Sequence, residues 1–267
     1  MAELSAQNAG TVVLGDITVN RLGLGTNRIS DNEESRAVLK RAVELGINFI
    51  DTAHRYGSSE EIIGDTLAPY PPGVVASTKG GWSGDNTPET LQANIDQSLH
   101  LLKLDQLPLW HLHRVDVSVP IEETMAFLKT QQAAGKIRHI GLSEVSIEQI
   151  ERARKIVPIV SVQNHYNLEE RRHEAVVDYC AKEKIAFLPF FPLGRGSVAR
   201  DSKLQVISEK YNATPIQIAI AWLLKRSPIM LPIPGTLSIE HLETNIAAAQ
   251  TNLSDEDYEE LLKLENG

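Results

Sequence analysis

Short apolar runs alternate with stretches of helical spacing about eight times along the chain. The runs fall at residues 22–25, 47–50, 74–77, 107–112, 137–142, 159–162, 186–190 and 229–233, and each precedes a segment that can bury one helical face. That alternation predicts parallel strands joined by crossover helices. Ahead of the first run, Thr-Val-Val-Leu-Gly-Asp-Ile-Thr-Val sets two alternating segments around Gly15-Asp16, which predicts a β-hairpin closing the bottom of the barrel. Thr87 before Pro88-Glu89 reads as a helix cap and first turn, and Ser254 opens a capped helix near the C-terminus. The repeat period is too irregular for a solenoid. A doubly wound sheet shares the alternation, but Gly23-Leu-Gly25 runs into Thr-Asn-Arg without the remaining glycine of a dinucleotide fingerprint. The expected fold is therefore α/β, a (β/α)8 TIM barrel with an N-terminal hairpin, and residues 1–267 form one domain of the usual barrel length.

Composition narrows the function classes. A net charge of −9 lacks the basic footprint of a nucleic-acid binder. No run approaches the ~20 apolar residues of a membrane span, and the first residues show neither a basic nor an apolar export region. Cys180 is the single cysteine, so no internal disulfide forms and a cytoplasmic setting is expected. Its helical context reads as a buried structural thiol.

The chemistry concentrates at the ends of successive strands. Asp51 and Tyr56 follow the second run, Lys79 the third and His113 the fourth. In a barrel these loops are neighbours at the C-terminal mouth. Reduction of a carbonyl needs a proton donor to the developing alkoxide, and a free phenol is a poor one at neutral pH. A nearby ammonium favours the phenolate, a carboxylate holds that ammonium charged and in place, and a histidine orients the carbonyl oxygen. Singly, each residue has an ordinary structural reading: a cap, a loop contact, a solvated charge, a satisfied barrel histidine. Their joint placement favours the catalytic one. His111 and His113 share a strand face, which raises a metal-dependent hydrolase, but no matching ligands stand at other strand ends and no metal is expected.

The ordered segments DTAHRYG, STKGG, LHRVD, GLSE, VQNHYN, PFFPLGRG and IPGT with HLETN resemble the aldo-keto reductases across nearly the whole chain. Within that family the pattern VQN-x-YN, LPFFPLG and ATP-x-Q-x-A-x-AWLL-x-RSP is most similar to the bacterial pyridoxal reductase-like branch. The resemblance implies a monomeric barrel enzyme that binds NADPH, less readily NADH, extended across the mouth. It implies Tyr56 as general acid, Lys79 and Asp51 as its tuning pair, and His113 as carbonyl orienter. Ser143 and Gln163 are implied to hold the nicotinamide carboxamide and Phe190 to stack on its ring. Glu144 replaces the family's usual Asn, which either removes one carboxamide bond or passes it to Asn164. Leu193, Gly194, Arg195 and Gly196 resemble the loop over the pyrophosphate. Gly235, Thr236, Ser238, His241 and Asn245 correspond to the adenosine end, without the Lys or Arg that many NADPH-specific members carry there. Gly25, Thr26, Phe191 and Ile233 complete the implied cofactor contacts.

The short C-terminal segment implies an open substrate site, with Arg28, His54, Trp82 and Trp110 as rim candidates and a small carbonyl compound, pyridoxal among the candidates, as partner. Strand-core packing is the equal reading of Trp110, and a solvated loop charge the default for Arg28. A regulatory nucleotide-binding subunit on the same scaffold is the alternative. The intact Asp51, Tyr56, Lys79 and His113 set argues for an enzyme.

Overall fold

The computed structural model describes residues 3–82, 85–194, 196 and 202–263. The hairpin pairs β1 (Thr11–Leu14) with β2 (Ile17–Asn20), antiparallel, around the expected Gly15-Asp16 turn. Gly15 has a φ of 69°, and a side chain there would strike the His139 ring, so the turn needs glycine on two counts. Asp16 reaches the adjoining sheet through Arg138 at 2.5 Å and His139 at 2.6 Å.

Seven parallel strands follow, each bonded to the next in chain order: β3 (Leu24–Gly25), β4 (Phe49–Asp51), β5 (Val75–Gly80), β6 (Leu107–Leu112), β7 (Ile137–Ser143), β8 (Ile159–Gln163) and β9 (Ala186–Phe187). Helices α1 (Glu33–Glu44), α2 (Ser59–Leu67), α3 (Pro88–Leu102), α4 (Ile121–Ala133), α5 (Ile147–Arg154) and α6 (Glu174–Glu183) lie in the crossovers. After β9 come α7 (Ser202–Lys210), α8 (Pro215–Arg226), α9 (Ile239–Ala247) and α10 (Asp255–Leu262). The two caps foreseen from sequence form: Thr87 Oγ1 accepts from the Thr90 N–H and Ser254 Oγ from the Asp257 N–H. Among the described residues no helix is long and apolar enough to cross a membrane.

The eighth run, 229–233, closes the ring without forming a regular strand. Pro232 and Pro234 have no N–H, so they offer carbonyls only. Gly23 N–H donates to Pro232 O at 2.9 Å and Gly25 N–H to Pro234 O at 3.3 Å on one side. On the other, Phe187 N–H donates to Ile229 O and Leu231 N–H to Phe187 O, each at 2.9 Å. Lower on the same seam, the half-buried Arg21 donates to the carbonyls of Met230, Leu224 and Ser227. The result is the (β/α)8 barrel with its hairpin.

Side-chain parity divides the core. Hairpin residues Val12, Leu14 and Val19 pack inside the barrel against Phe49, Val75, Leu109, Ala186 and Leu231, so the hairpin is the barrel's lower plug. Residues of opposite parity, Trp110 among them, join the core between strands and helices. Above the apolar plug sits a polar layer, in which His111 bridges Ser77 Oγ at 3.3 Å and Ser161 Oγ at 2.9 Å.

Candidate active site

Strand register builds the site. Asp51 ends β4, and β5 runs past its expected end at 77 to carry Lys79, which pairs with His111 of β6. Lys79 is fully buried and Asp51 is 3% exposed. Nζ of Lys79 donates to Asp51 Oδ2 at 2.8 Å and to Thr52 O at 2.6 Å, while Gln163 Nε2 donates to Asp51 Oδ1 at 2.9 Å. Both carboxylate oxygens are thereby engaged, as a buried ion pair requires.

Tyr56 stands on a tight turn beyond β4, with its N–H bonded to Ala53 O and its carbonyl accepting from Ser59 N–H. Behind that turn the hydroxyls of Thr26, Ser59 and Thr52 form a buried chain at 2.8–2.9 Å, anchored by Thr26 Oγ1 on the Asp51 carbonyl. Lys79 Nζ lies 5.2 Å from the centre of the Tyr56 ring. His113 follows β6, with its N–H on Gly80 O, and its ring meets Tyr56 edge-on at 6.0 Å and Trp82 at 4.6 Å. Burial, then the charges of Lys79, Arg114, Arg55 and His111, push the His113 pKa down to about 2. The imidazole is therefore neutral, one nitrogen donating and one accepting. Its Nδ1 is buried without a hydrogen-bond partner.

These groups occupy one end of a cleft of about 900 Å³ across the C-terminal mouth, near the top of the ~300–1,000 Å³ range of ligand sites. The cleft runs from Tyr56, His113 and Trp82 to Thr236, His241 and Asn245. The family description Aldo/keto reductase family matches residues 21–266.

The chain belongs to the aldo/keto reductase family.

Its class follows from family and fold: an NAD(P)H-dependent aldo-keto reductase. It is 41% identical to an uncharacterized oxidoreductase of Schizosaccharomyces pombe, over 97% of this chain and 90% of that protein. It is 38% identical to pyridoxine 4-dehydrogenase of Escherichia coli, over 93% and 96% respectively. An aldo-keto reductase of Klebsiella pneumoniae, solved in complex with NADPH, superposes with a TM-score of 0.87 at 26% identity, covering 96% of this chain and 95% of that one.

Most sequence-expected residues of the reductase meet in the cleft. Gly25, Thr26, Arg28, Asp51, Tyr56, Trp82, His113, Ser143 and Gln163 line it, as do Phe190, Phe191, Leu193, Gly196, Ile233, Gly235, Thr236, His241 and Asn245. Lys79 lies buried beneath, bonded to Asp51.

Five further residues of that expected set, all described, are also absent from the lining. Trp110 has the parity opposite to His111 and is fully buried in the helix-side core, so it is not a rim residue. His54 sets its Nδ1 3.7 Å from the buried Glu60 carboxylate, which also accepts from Thr78 Oγ1 at 2.5 Å. Asn164 binds the Val145 backbone at both ends of its amide, Oδ1 accepting at 3.1 Å and Nδ2 donating at 2.8 Å, with Nδ2 also 3.1 Å from His173 Nδ1. Ser238 caps α9 through the His241 N–H. Gly194 belongs to the turn whose N–H bonds Phe191 O. Arg195 lies outside the described residues.

Glu144 has a distinct structural role. Its φ of 54° is a left-handed conformation that Asn tolerates better than Glu. Its carboxylate accepts from the His165 N–H at 2.7 Å and pairs with Arg172 at 3.2 Å, bracing the loop after β8. Sequence reasoning missed Arg55 and Arg114, which line the cleft immediately beside Tyr56 and His113. Their only signal was that adjacency.

Proposed function

We propose that this reductase converts a small aldehyde, with pyridoxal as the candidate, into the alcohol at the expense of NADPH, and that Tyr56 is the proton donor. The observation that carries the reading is the convergence of Tyr56, neutral His113 and the buried Lys79–Asp51 pair at one end of a single cleft. The residues fit a dinucleotide. Ser143, Gln163 and Phe190 stand together near that end, Gly25, Ile233 and Gly235 line the middle, and Thr236 with His241 and Asn245 of α9 line the far end.

When bound, the dinucleotide supplies hydride to the carbonyl carbon. The protein manages the oxygen. Neutral His113 offers an imidazole N–H that fixes the carbonyl oxygen beside the Tyr56 hydroxyl. Tyr56 gives up its proton as the alkoxide forms, and the Lys79 ammonium stabilises the negative charge left on the phenol oxygen. Asp51, Thr52 O and Gln163 keep the ammonium from turning elsewhere. Solvent returns the proton to Tyr56, so the sum is aldehyde, NADPH and a proton giving alcohol and NADP⁺. The similarity to pyridoxine 4-dehydrogenase supports pyridoxal, because that protein's named reaction is the same conversion read backwards. Support for NADPH comes from the Klebsiella relative.

The test is a fluorescence titration with NADPH and NADH, followed on the same sample by NADPH oxidation with pyridoxal and a panel of small aldehydes. Tighter NADPH binding with turnover of pyridoxal is the expected result. Binding without turnover of any carbonyl would transfer the weight to a redox-sensing binding role, and no binding would remove both readings.

A further inference from the structure

The chain carries a formal charge of −9, yet the carbonyl end of its cleft is positive. Arg55 and Arg114 stand beside Tyr56 and His113, Arg28 also lines the cleft, and among the described residues none of the three has a carboxylate within ion-pair distance. Most other arginines do, Arg41, Arg152 and Arg226 among them. Among the described lining residues the one carboxylate, Asp51, is paired with Lys79.

Two of the three guanidiniums are held in place. Arg55 lies 3.7 Å from the centre of the Trp82 ring and Arg114 4.8 Å from it. Arg114 also uses one nitrogen on His113 O at 2.5 Å and Ser143 Oγ at 3.1 Å. A guanidinium laid on an aromatic face keeps its N–H edge available, and that edge matches the two oxygens of a carboxylate or phosphate. Glu144 faces Arg114 electrostatically, but its oxygens are already taken by the His165 N–H and Arg172. Burial lowers the Arg114 pKa, and Arg55 adds a smaller push in the same direction. Trp82, 36% exposed, contacts both guanidiniums.

We propose that Arg55 and Arg114, seated on Trp82 beside Tyr56 and His113, form an anion subsite that selects carbonyl substrates bearing a carboxylate or phosphate group. The inference rests on the reductase reading above and specifies its substrate class. An anionic substituent docks on the two N–H edges while the carbonyl oxygen meets Tyr56 and His113.

Two matched pairs test it: 4-carboxybenzaldehyde against 4-carbamoylbenzaldehyde, and pyridoxal 5′-phosphate against pyridoxal. The first isolates a carboxylate and the second a phosphate. The wild-type protein is expected to prefer the anionic member of at least one pair by about tenfold in kcat/KM, mostly through KM and less so at high salt. Arg55→Gln and Arg114→Gln each reduce that ratio by about fivefold, and Arg→Lys at the same positions recovers part of it, since charge remains while the fork is lost. Calorimetric titration of the cofactor-saturated protein with benzoate and benzamide reads the subsite without turnover. A preference for benzoate that both Gln variants abolish supports the subsite even if no carbonyl is reduced, which would defeat the reductase reading alone. Equal kcat/KM within both wild-type pairs, or ratios and benzoate affinity untouched by the Gln variants, would overturn the anion subsite.

Discussion

The Lys79–Asp51 pair makes the sharpest energetic prediction. Both charges are buried, and the ammonium has a carboxylate oxygen at 2.8 Å and a backbone carbonyl at 2.6 Å. Removing one partner of such a pair leaves an uncompensated charge, at a cost of about 3–5 kcal/mol. Asp51→Asn carries a further conflict. Its single amide oxygen can serve Lys79 or Gln163, and the other then faces an NH₂ group. Lys79→Met strands the carboxylate with Gln163 alone. In a barrel of this size each 1 kcal/mol moves Tm by roughly 2–4 °C, so each single variant should melt roughly 6–20 °C lower. The double variant has no buried charge to strand, and its loss should fall short of the sum of the singles by about 2–3 kcal/mol. Urea unfolding of the four proteins followed by circular dichroism measures the coupling directly. All three variants lose turnover under the proposed mechanism, so stability is the readout that isolates the pair. Losses that add to within about 0.5 kcal/mol would refute the claim that the two charges hold each other in place.

Tyr56→Phe should keep cofactor affinity within about twofold and lower kcat by about 10²–10⁴-fold; a fluorescence titration paired with steady-state kinetics checks both halves. The depressed pKa of His113 also predicts a pH dependence of stability. The unfolded chain takes up a proton near pH 6.5 that the folded site refuses until about 2, so stability is complete above pH 6.5 and declines as pH falls through that window. The slope contributed is up to about 1.4 kcal/mol per pH unit. His113→Asn should flatten the curve between pH 5 and 7 relative to wild type, and an unchanged curve would show that the imidazole titrates normally. Gly25→Ala would place its methyl 2.6 Å from Ile233 O. It should lower Tm and weaken dinucleotide binding together, measured by calorimetry with and without NADPH, because one contact serves both the barrel seam and the cleft floor.

Much of this architecture was legible because strands buried on both faces read as unbroken apolar runs. The placement of Asp51, Lys79 and His113 was legible for a related reason, since each follows one of those runs closely, whereas Tyr56 stands on the turn beyond. The eighth run was found by its hydrophobicity although two prolines deny it a regular ladder, a loss that the carbonyl acceptors of Pro232 and Pro234 partly offset. Trp110 was assigned by its aromatic chemistry, whereas strand parity already set it opposite His111. Asn164 shows a different limit. Nothing in a sequence reveals that an amide is bonded at both ends to the backbone of a residue nineteen positions earlier. Arg55 and Arg114 gain meaning only once loop curvature lays both on Trp82, and the Thr26–Ser59–Thr52 hydroxyl chain joins segments that no local pattern connects.

The proline-bearing seam also constrains how the protein comes into being. Its bonds join the first strand to the last, and the Arg21–Met230 contact alone spans 209 residues. During synthesis β3 therefore waits with an open edge until almost the whole chain has been made, and ring closure is a late, long-range event. Gly25 and Thr26 from one side of that seam and Ile233 to Thr236 from the other face the same cleft. A ligand seated there fastens the two ends of the polypeptide together. At a concentration of 100 times Kd it adds about 2.7 kcal/mol to the folded state. Amide exchange at Gly23, Gly25 and Leu231 should slow more on ligand addition than exchange at the midpoints of β6 and β7, making the cofactor a clasp on the last joint to close.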